Sequence, residues 1–194
     1  MKTKTIFFCA LGLILSGCSN IGNMPDYRNE SGADLSQKAI VIARAKDCDT
    51  EDTMWNSFCN GKAKIYFRPI GLSNWNILND YIGVYCPFGK YCDYEIKVAP
   101  IGKYELKYIQ RGEGTAIATW SGYNIKFTLQ EGTVNYIGDI VFHSKSGKID
   151  IIDNFEEAKL ELSKFHPEIA DKLVRNIAKS PIYFALNNKS YIVS

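Results

Sequence analysis

The sequence predicts a mainly β protein, an antiparallel β-sandwich followed by a pair of helices near its C-terminus. Three observations predict this class. Apolar and polar residues alternate over several short segments, glycine-containing turn signals separate those segments, and the apolar spacing becomes helical after residue 154. Alternation with a period of two gives a strand one buried and one solvated face. With 46% hydrophobic and 13% aromatic residues, the 194-residue chain can form a substantial core.

Residues 1–17 have the pattern of a signal peptide. Two lysines precede ten apolar residues, Ile6–Leu15, a run that is too short to cross a bilayer and is typical of a signal-peptide core. The run ends in Leu15-Ser-Gly-Cys18, which resembles the lipobox of bacterial lipoproteins. This resemblance implies that Cys18 becomes the first mature residue and carries the acyl chains of a membrane anchor, since two or more chains anchor a protein stably. The alternative is an uncleaved anchor with an incidental cysteine.

The residues after the cysteine predict where the domain is held. Ser19 stands where an aspartate commonly retains such lipoproteins in the inner membrane, so the resemblance implies the outer membrane, with the inner membrane as the alternative. Residues 18–37 are polar, rich in Gly, Pro and Asn, and have no apolar period, which predicts a lipidated flexible tether. A coil of this length spans roughly 25 Å. It would hold one domain, residues 38–194, close to the lipid headgroups on the periplasmic or surface face.

The predicted strands follow one another from Gln37 to Asp153. Their segments are QKAIVIARA from Gln37, KAKIYFRPI from Lys62, YEIKVAP from Tyr94, KYELKYIQR from Lys103, YNIKFTLQ from Tyr123, GTVNYIGDIVFH from Gly132 and KIDIID from Lys148. PIYFAL from Pro181 and SYIV from Ser190 predict one or two final strands. Gly138 lies inside a predicted strand, which indicates a bulge or a close backbone approach.

A helical pair is predicted near residues 155–179. Asn154 can cap the first helix, and the two glutamates that follow suit its positively charged N-terminal end. Because the residue before a proline avoids the helical region, His166 ends this helix and Pro167 begins a second one. The expected buried residues are Ala158, Leu162 and Phe165 in the first helix and Ile169, Ala170, Leu173, Val174 and Ile177 in the second.

Two segments resemble strands of small bacterial lipoprotein domains with a transthyretin-like or related sandwich. Val98-Ala-Pro-Ile-Gly-Lys-Tyr-Glu-Leu106 is similar to a V-x-P-G-x-Y-x-L pattern, from which it departs by Ile101 between the proline and the glycine. Gly132-Thr-Val-Asn-Tyr-Ile-Gly-Asp-Ile140 is similar to a G-x-x-x-Y-I-G-D-I strand. The two segments cover a small part of the chain. They imply a fold and no catalytic residues.

The cysteines predict an oxidising compartment. Cys9 lies in the signal segment and Cys18 is assigned to the lipid, which leaves an even number, Cys48, Cys59, Cys86 and Cys92. In an exported protein four cysteines indicate disulfides with three possible connectivities. The local pairs Cys48–Cys59 and Cys86–Cys92 are favoured, because CPFGKYC carries the Pro and Gly of a type I turn and CDTEDTMWNSFC is a polar loop. A zinc site from the same thiolates is disfavoured by their spacing.

Motifs for catalysis or cofactor binding are missing from the sequence. Neither His143 nor His166 belongs to a metalloprotease motif, and no nucleophile elbow, phosphate loop or dinucleotide fingerprint occurs. The acidic cluster Asp47, Asp49, Glu51 and Asp52 lacks the Gly and Glu of a calcium loop, so a solvated loop is the default. The sequence therefore predicts no cofactor, no metal and no enzymatic activity. Carboxylates that meet only in space leave a hydrolase as an alternative.

The remaining signals concern partners. Removal of residues 1–17 leaves 21 basic and 21 acidic residues, so no basic footprint predicts a nucleic-acid partner. Trp55, Trp75 and Trp120 could form a glycan- or peptide-binding platform, although three tryptophans are more often core or edge residues. Trp55 is the main candidate, because it lies in the polar loop between two cysteines, where burial is harder. The prediction is a non-enzymatic envelope lipoprotein with an interaction or accessory role, anchored to the membrane and meeting an envelope protein or glycan. A glycan- or peptide-binding module is the alternative.

Overall fold

The computed structural model describes residues 27, 36–47, 63–71, 81–85, 93–113, 116–179 and 189–193. The strands are β1 (Lys38–Asp47), β2 (Ala63–Pro69), β3 (Ile82–Tyr85), β4 (Glu95–Pro100), β5 (Gly102–Glu113), β6 (Ala116–Ser121), β7 (Lys126–Leu129), β8 (Val134–His143), β9 (Lys148–Ile152), β10 (Leu173–Arg175) and β11 (Lys189–Val193). The helices are α1 (Phe155–Phe165) and α2 (Pro167–Ala170). The predicted class, mainly β with a C-terminal helical pair, is confirmed.

The strands form two sheets. The five-stranded sheet has the order β10–β8–β1–β4, with β9 also paired to β8. In this sheet β8 runs parallel to both β1 and β10, and the other pairs are antiparallel, so the sheet is mixed. The six-stranded sheet has the order β11–β6–β5–β2–β3, with β7 also paired to β5, and all its pairs are antiparallel.

The mixed sheet is covered on both faces. Its inner face packs against the antiparallel sheet in the main core, where Val41 and Phe142 meet Phe67 and Ile109. Its outer face packs against α1 and α2 in a second apolar cluster that includes Ile42 from the sheet, Leu162 from α1 and Ile169 from α2. Because both faces are covered, every residue of β8 from Val134 to Phe142 is buried. Burial on both faces explains the nearly continuous apolar run of this strand.

The second helix is shorter than its apolar spacing predicts. It ends at Ala170, and Leu173–Arg175 form β10, which adds to the edge of β8. The backbone N–H of Asn176 donates to the carbonyl oxygen of Tyr136 at 2.9 Å, so pairing with β8 satisfies groups that a longer helix would have paired internally. Val174 is 41% exposed and Phe165 is 70% exposed, so their predicted burial is wrong, whereas Ile169, Ala170 and Leu173 are buried as predicted.

Asn154 does not cap α1 through its side chain. No hydrogen bond joins its side chain to the first turn, and the carboxylate of Asp153 accepts from the backbone N–H of Phe155 at 3.1 Å instead. The side-chain amide of Asn154 donates to the carboxylate of Asp139 on the sheet at 2.8 Å. The capping prediction is wrong, because the Asn154 side chain is directed to the charged carboxylate of Asp139 and not to the N–H groups of the first turn. Trp120 lies in the core, 8% exposed, and packs edge-on against Phe142.

Gly138 forms the bulge that its position in a strand predicts. Ile42 pairs with Tyr136 and Arg44 with Asp139, so two residues of β8 oppose one residue of β1. The φ of Gly138 is +109°, and a Cβ there would lie 2.6 Å from Cγ2 of Ile151. Only glycine fits this conformation without strain.

Replacement of Gly138 tests this contact. We expect Gly138→Ala to lower the free energy of unfolding by about 1–3 kcal/mol more than Gly71→Ala, because overpacking adds to the backbone strain. Gly71 is the matched control, since it also has a positive φ, +88°, and a Cβ added there would meet no atom within 4 Å. Urea unfolding followed by circular dichroism measures both variants. Equal losses would contradict the tight contact at Gly138.

Candidate functional site

A buried ion pair joins the two central strands of the mixed sheet. Arg44 on β1 is 8% exposed, and its register partner on β8, Asp139, is fully buried. The guanidinium Nε donates to Oδ2 of Asp139 at 2.9 Å, and Nη2 makes a second, shorter contact with the same oxygen. Two charges in an interior are stable only when their geometry and their remaining hydrogen bonds compensate the lost hydration.

The Gly138 bulge places Asp139 on the helix-covered face of the sheet. Tyr136 faces α1 and Ile137 faces the main core, so strict alternation would send Asp139 into that core. The extra residue of the bulge resets the alternation. Asp139 therefore lies beside Tyr136, whose hydroxyl donates to Oδ1 of Asp139 at 3.0 Å, while Ile140 returns to the core.

The buried carboxylate has further partners. The side-chain amide of Asn154 donates to Oδ2 of Asp139 at 2.8 Å, and the ammonium nitrogen of Lys46 lies 3.6 Å from that oxygen. The backbone N–H of Asn154 donates to the hydroxyl of Tyr136 at 3.0 Å. Both oxygens of Asp139 are thus satisfied, and the residue that precedes α1 is fixed to β8.

Arg44 also holds the helix. Its Nη1 donates to Oε1 of Glu157 at 2.7 Å, and Nη2 donates to Oε2 at 3.1 Å, a bidentate pair that joins β1 to the first turn of α1. Burial is the largest single influence on the pKa of Arg44 and lowers it. The hydrogen bonds to Glu157 and Asp139 together have the larger effect, so the pKa of Arg44 is raised. The hydrogen bond from Arg44 lowers the pKa of Glu157.

Next to this network lies a cavity between α1 and the edge strand β4. Its volume is about 420 Å³. Five of its lining residues are apolar, namely Ile42, Ile96, Ala158, Leu162 and Phe165. Its polar lining residues are Asp93, Tyr94, Glu161 and His166. The ion pair fixes α1 to the sheet, so both walls of this helix–sheet cavity are held in place.

Tyr94 connects the ion pair to the cavity. The guanidinium carbon of Arg44 lies 4.4 Å from the centre of the Tyr94 ring, within the range of a cation–π contact. The ring also packs edge-on against Tyr136. Tyr94 is 9% exposed, and its buried hydroxyl has no hydrogen-bond partner in the part of the chain that the structure describes. Burial is the largest cause of the raised pKa of this hydroxyl.

Glu161 is the partly buried carboxylate of the cavity. Burial raises its pKa above the ordinary glutamate value, and the negative charges of Asp93 and Glu157 add to this rise. Arg44 and a hydrogen bond from the Tyr94 backbone act in the opposite direction. Within the described residues Glu161 has no ion pair.

Phe165, 70% exposed, also lines the cavity and gives it an apolar rim.

The α1–α2 junction forms another part of the rim. Nδ1 of His166 lies 3.5 Å from a carboxylate oxygen of Glu168, and the ring of Tyr27 packs edge-on against His166 at 5.8 Å. The hydroxyl of Tyr27 donates to the same Glu168 oxygen at 3.4 Å. Tyr27 belongs to the segment that the sequence predicts as a tether, so one residue of that segment lies against the cavity rim.

The other histidine belongs to a separate hairpin. Nε2 of His143, at the end of β8, lies 2.9 Å from a carboxylate oxygen of Asp150, which also pairs with Lys148 at 3.0 Å. His143 and His166 therefore do not share a site. Among the residues that can be described, no three potential metal ligands come together.

The residues that the sequence analysis singled out for lipidation, disulfides and ligand binding lie outside the described residues. They are Cys18, Cys48, Cys59, Cys86, Cys92 and Trp55. Trp75 and the acidic residues Asp49, Glu51 and Asp52 also lie outside them. The lipid anchor, both cysteine pairs and the tryptophan platform stay predictions.

The structure shows an aromatic cluster that the sequence analysis missed. Tyr66 on β2 packs against three other tyrosine rings, on β3, on β5 and just before β3, with ring centroids 4.6–6.0 Å apart. The cluster consists of Tyr66, Tyr81, Tyr85 and Tyr108. Burial raises the pKa of Tyr108 to about 12, and the nearby Tyr66 and Tyr81 add to this rise. These rings point to packing rather than proton transfer.

Sequence reasoning also missed the network of Arg44, Asp139 and Glu157. A signal for it was present, because Arg44 and Asp139 each interrupt an apolar run that is typical of a buried strand. The pairing could not be foreseen, since β1 and β8 lie almost a hundred residues apart and their parallel register fixes which charges meet.

Comparisons with known proteins give no family for the chain. It matches no known family model, and it has no significant similarity to a curated protein or to a solved structure. No helix in the described ranges has the length and apolar character that crossing a membrane requires. The function therefore has to be inferred from the geometry of the cavity and from the sequence.

Substitution of Arg44 tests the role of the ion pair. We expect Arg44→Met to lower the free energy of unfolding by about 3–5 kcal/mol, because it leaves the buried carboxylate of Asp139 with only Lys46, 3.6 Å away, as a charged partner among the described residues. Glu157→Gln should cost less than about 1 kcal/mol, since the Glu157 side chain is 54% exposed. Urea unfolding at neutral pH measures both.

A double variant separates charge from packing. Arg44→Met with Asp139→Leu should recover much of the stability that Arg44→Met loses, because it removes the buried carboxylate that Arg44 no longer pairs. A single Arg44→Met variant as stable as Glu157→Gln would contradict the assigned role of the pair.

Proposed function

We propose that this chain is a lipid-anchored protein of the bacterial envelope, attached to the outer membrane through Cys18, that acts by binding a ligand rather than by catalysis. The helix–sheet cavity is the proposed ligand site. The anchor is supported by the lipobox-like segment at residues 15–18. The single observation that carries the binding role is the cavity itself, which combines apolar walls with a few polar groups on a rigid support.

The size and lining of the cavity suit a small ligand. Small-molecule sites are clefts of about 300–1,000 Å³ with mostly apolar walls and few polar groups, and the present cavity has about 420 Å³. Ile42 and Ile96 come from neighbouring strands, and Leu162 faces them from α1. Side chains that project from strands and helices hold a site more precisely than loop residues do.

The position of Tyr27 supports a role close to the membrane. Tyr27 is nine residues from Cys18 and lies against the cavity rim through His166 and Glu168. Nine extended residues span at most about 32 Å. With the lipid attached at Cys18, the rim would lie within this distance of the bilayer, where envelope ligands and partners are accessible.

A second candidate function is hydrolysis by carboxylates, and one observation favours it. Glu161 and Asp93 line the same cavity, and the pKa of Glu161 is raised, as that of a general acid would be. A hydrolase would release product, and Glu161→Gln would abolish that release. A binding protein would leave its ligand chemically intact in both the wild type and the variant.

The glycan-binding alternative now has a candidate surface besides Trp55. Aromatic faces provide large, rigid contact areas, and the tyrosine cluster has three half-buried rings, Tyr66, Tyr85 and Tyr108, around the buried Tyr81. A glycan bound there would protect these tyrosines from modification without occupying the cavity. Protection confined to the tyrosine cluster would therefore favour this alternative over the cavity.

Site-specific crosslinking tests the cavity as the binding site. A benzoylphenylalanine placed at Phe165 in the full-length chain should, on irradiation of intact cells, give an adduct of defined added mass, because Phe165 lines the cavity and is 70% exposed. Intact-protein mass spectrometry after purification measures the adduct. Its mass would identify the ligand class directly.

Two controls accompany this measurement. The same probe at Ile101, 37% exposed and outside the cavity, should not give that adduct. Cys18→Ala should leave a full-length precursor that does not incorporate labelled palmitate, because it lacks the thiol that receives the lipid. Identical adducts at Phe165 and Ile101 would contradict the cavity site, and normal palmitate labelling of Cys18→Ala would contradict the anchor.

A further inference from the structure

We infer that the helix–sheet cavity binds organic cations, molecules with an apolar body and a protonated amine, whose ammonium group lies between Glu161 and Asp93. The inference rests on the proposed function, since it names the ligand class of the same site. It is carried by the apolar lining, by the charge of the polar lining and by the absence of a direct ion-pair partner for Glu161 within the described residues.

The apolar part of the cavity sets the size of the ligand body. Its apolar lining residues, contributed by β1, β4 and α1, gain from contact with a hydrocarbon or aromatic group, because such contact removes apolar surface from water. At about 30 Å³ for a water-sized group, 420 Å³ accommodates on the order of ten to fifteen non-hydrogen atoms. A phenyl ring with a short amine-bearing chain fits this volume.

The charge of the ligand follows from a comparison of two glutamates one turn apart on α1. Glu157 receives both Arg44 hydrogen bonds, and its pKa is lowered. Glu161 is partly buried and has no ion pair among the described residues, and burial raises its pKa. Arg44 is engaged by Asp139 and Glu157, so this cation is already paired on the neighbouring helical turn.

A bound ammonium would supply the direct ion-pair partner that Glu161 lacks among the described residues. Charge-assisted hydrogen bonds between an ammonium and a carboxylate are about twice as strong as neutral ones, and partial burial strengthens them further. Asp93, which is exposed, lines the same cavity and adds a second negative charge. No lysine or arginine lines the cavity in the described part of the chain.

The same electrostatics select against other amphiphiles. A carboxylate-bearing ligand of the same shape would meet Glu161 and Asp93 with like charge, and a neutral alcohol would form no ion pair with Glu161. The His166 side chain at the rim contacts Glu168 and the ring of Tyr27, so these two residues are its partners in the structure. The lining therefore favours an amine over its alcohol and acid analogues.

Three ligands of the same shape test this inference, namely 2-phenylethylamine, 2-phenylethanol and phenylacetate. Isothermal titration calorimetry uses the full mature chain in nanodiscs of zwitterionic lipid, with empty nanodiscs as the blank. We expect the amine to bind about tenfold more tightly than the alcohol, the effect of one charge-assisted hydrogen bond, and phenylacetate to bind more weakly than either.

Variants locate the preference. Glu161→Gln should bring amine affinity down to that of the alcohol, and Asp93→Asn should reduce it by a smaller factor. Glu156→Gln is the matched control, because it removes the same charge from the same helix at a position whose side chain is 83% exposed and outside the cavity lining. The control should retain the full preference. Thermal unfolding monitored by circular dichroism confirms that each variant is folded.

Each result has one meaning. A tenfold preference for the amine that Glu161→Gln removes and Glu156→Gln keeps supports the inference. Equal binding of amine and alcohol overturns the cation preference but leaves the cavity as a binding site, so the proposed function stands. No binding of the amine at millimolar concentration, or equal losses in Glu161→Gln and Glu156→Gln, overturns the inference. The proposed function fails separately, by identical crosslinking at Phe165 and Ile101.

Discussion

The pairing of Arg44 with Asp139 is the constraint on which the rest of the structure depends. A charged pair on two central strands, 8% and 0% exposed, is tolerated only when every remaining hydrogen-bonding group is satisfied. The bulge at Gly138 turns Asp139 toward the helices, and the residues around the start of α1 then satisfy the pair. The cavity is a consequence of this arrangement, because it lies where the fixed helix passes the edge strand β4.

The start of α1, together with the preceding Asn154, has a different role from the second half of the helix. Asn154 and Glu157 bind the sheet, and their polar groups are satisfied by Asp139 and Arg44. One turn later Glu161 faces the cavity with its charge partly desolvated and without an ion pair among the described residues. A helix that is attached at one end and lines a cavity at the other provides a rigid site without requiring a loop to fold over the ligand.

The sequence predicted the parts of the fold that depend on local pattern. Alternation predicted the strands, and glycine inside a strand predicted the Gly138 bulge, because only glycine adopts its backbone conformation freely. The parallel pairing of β1 with β8 and the strand at Leu173–Arg175 could not be predicted, since both depend on which distant edge is available. The site was missed for the same reason, because the end of β4 and one face of α1 meet only in the folded chain.

A crystal structure of the protein with 2-phenylethylamine tests the central claim most directly. We predict that the phenyl ring lies among Ile42, Ile96 and Leu162, and that the ammonium nitrogen lies about 3 Å from a carboxylate oxygen of Glu161. The amine bound outside the cavity, or bound inside it with its nitrogen directed away from both Glu161 and Asp93, would contradict the proposed site.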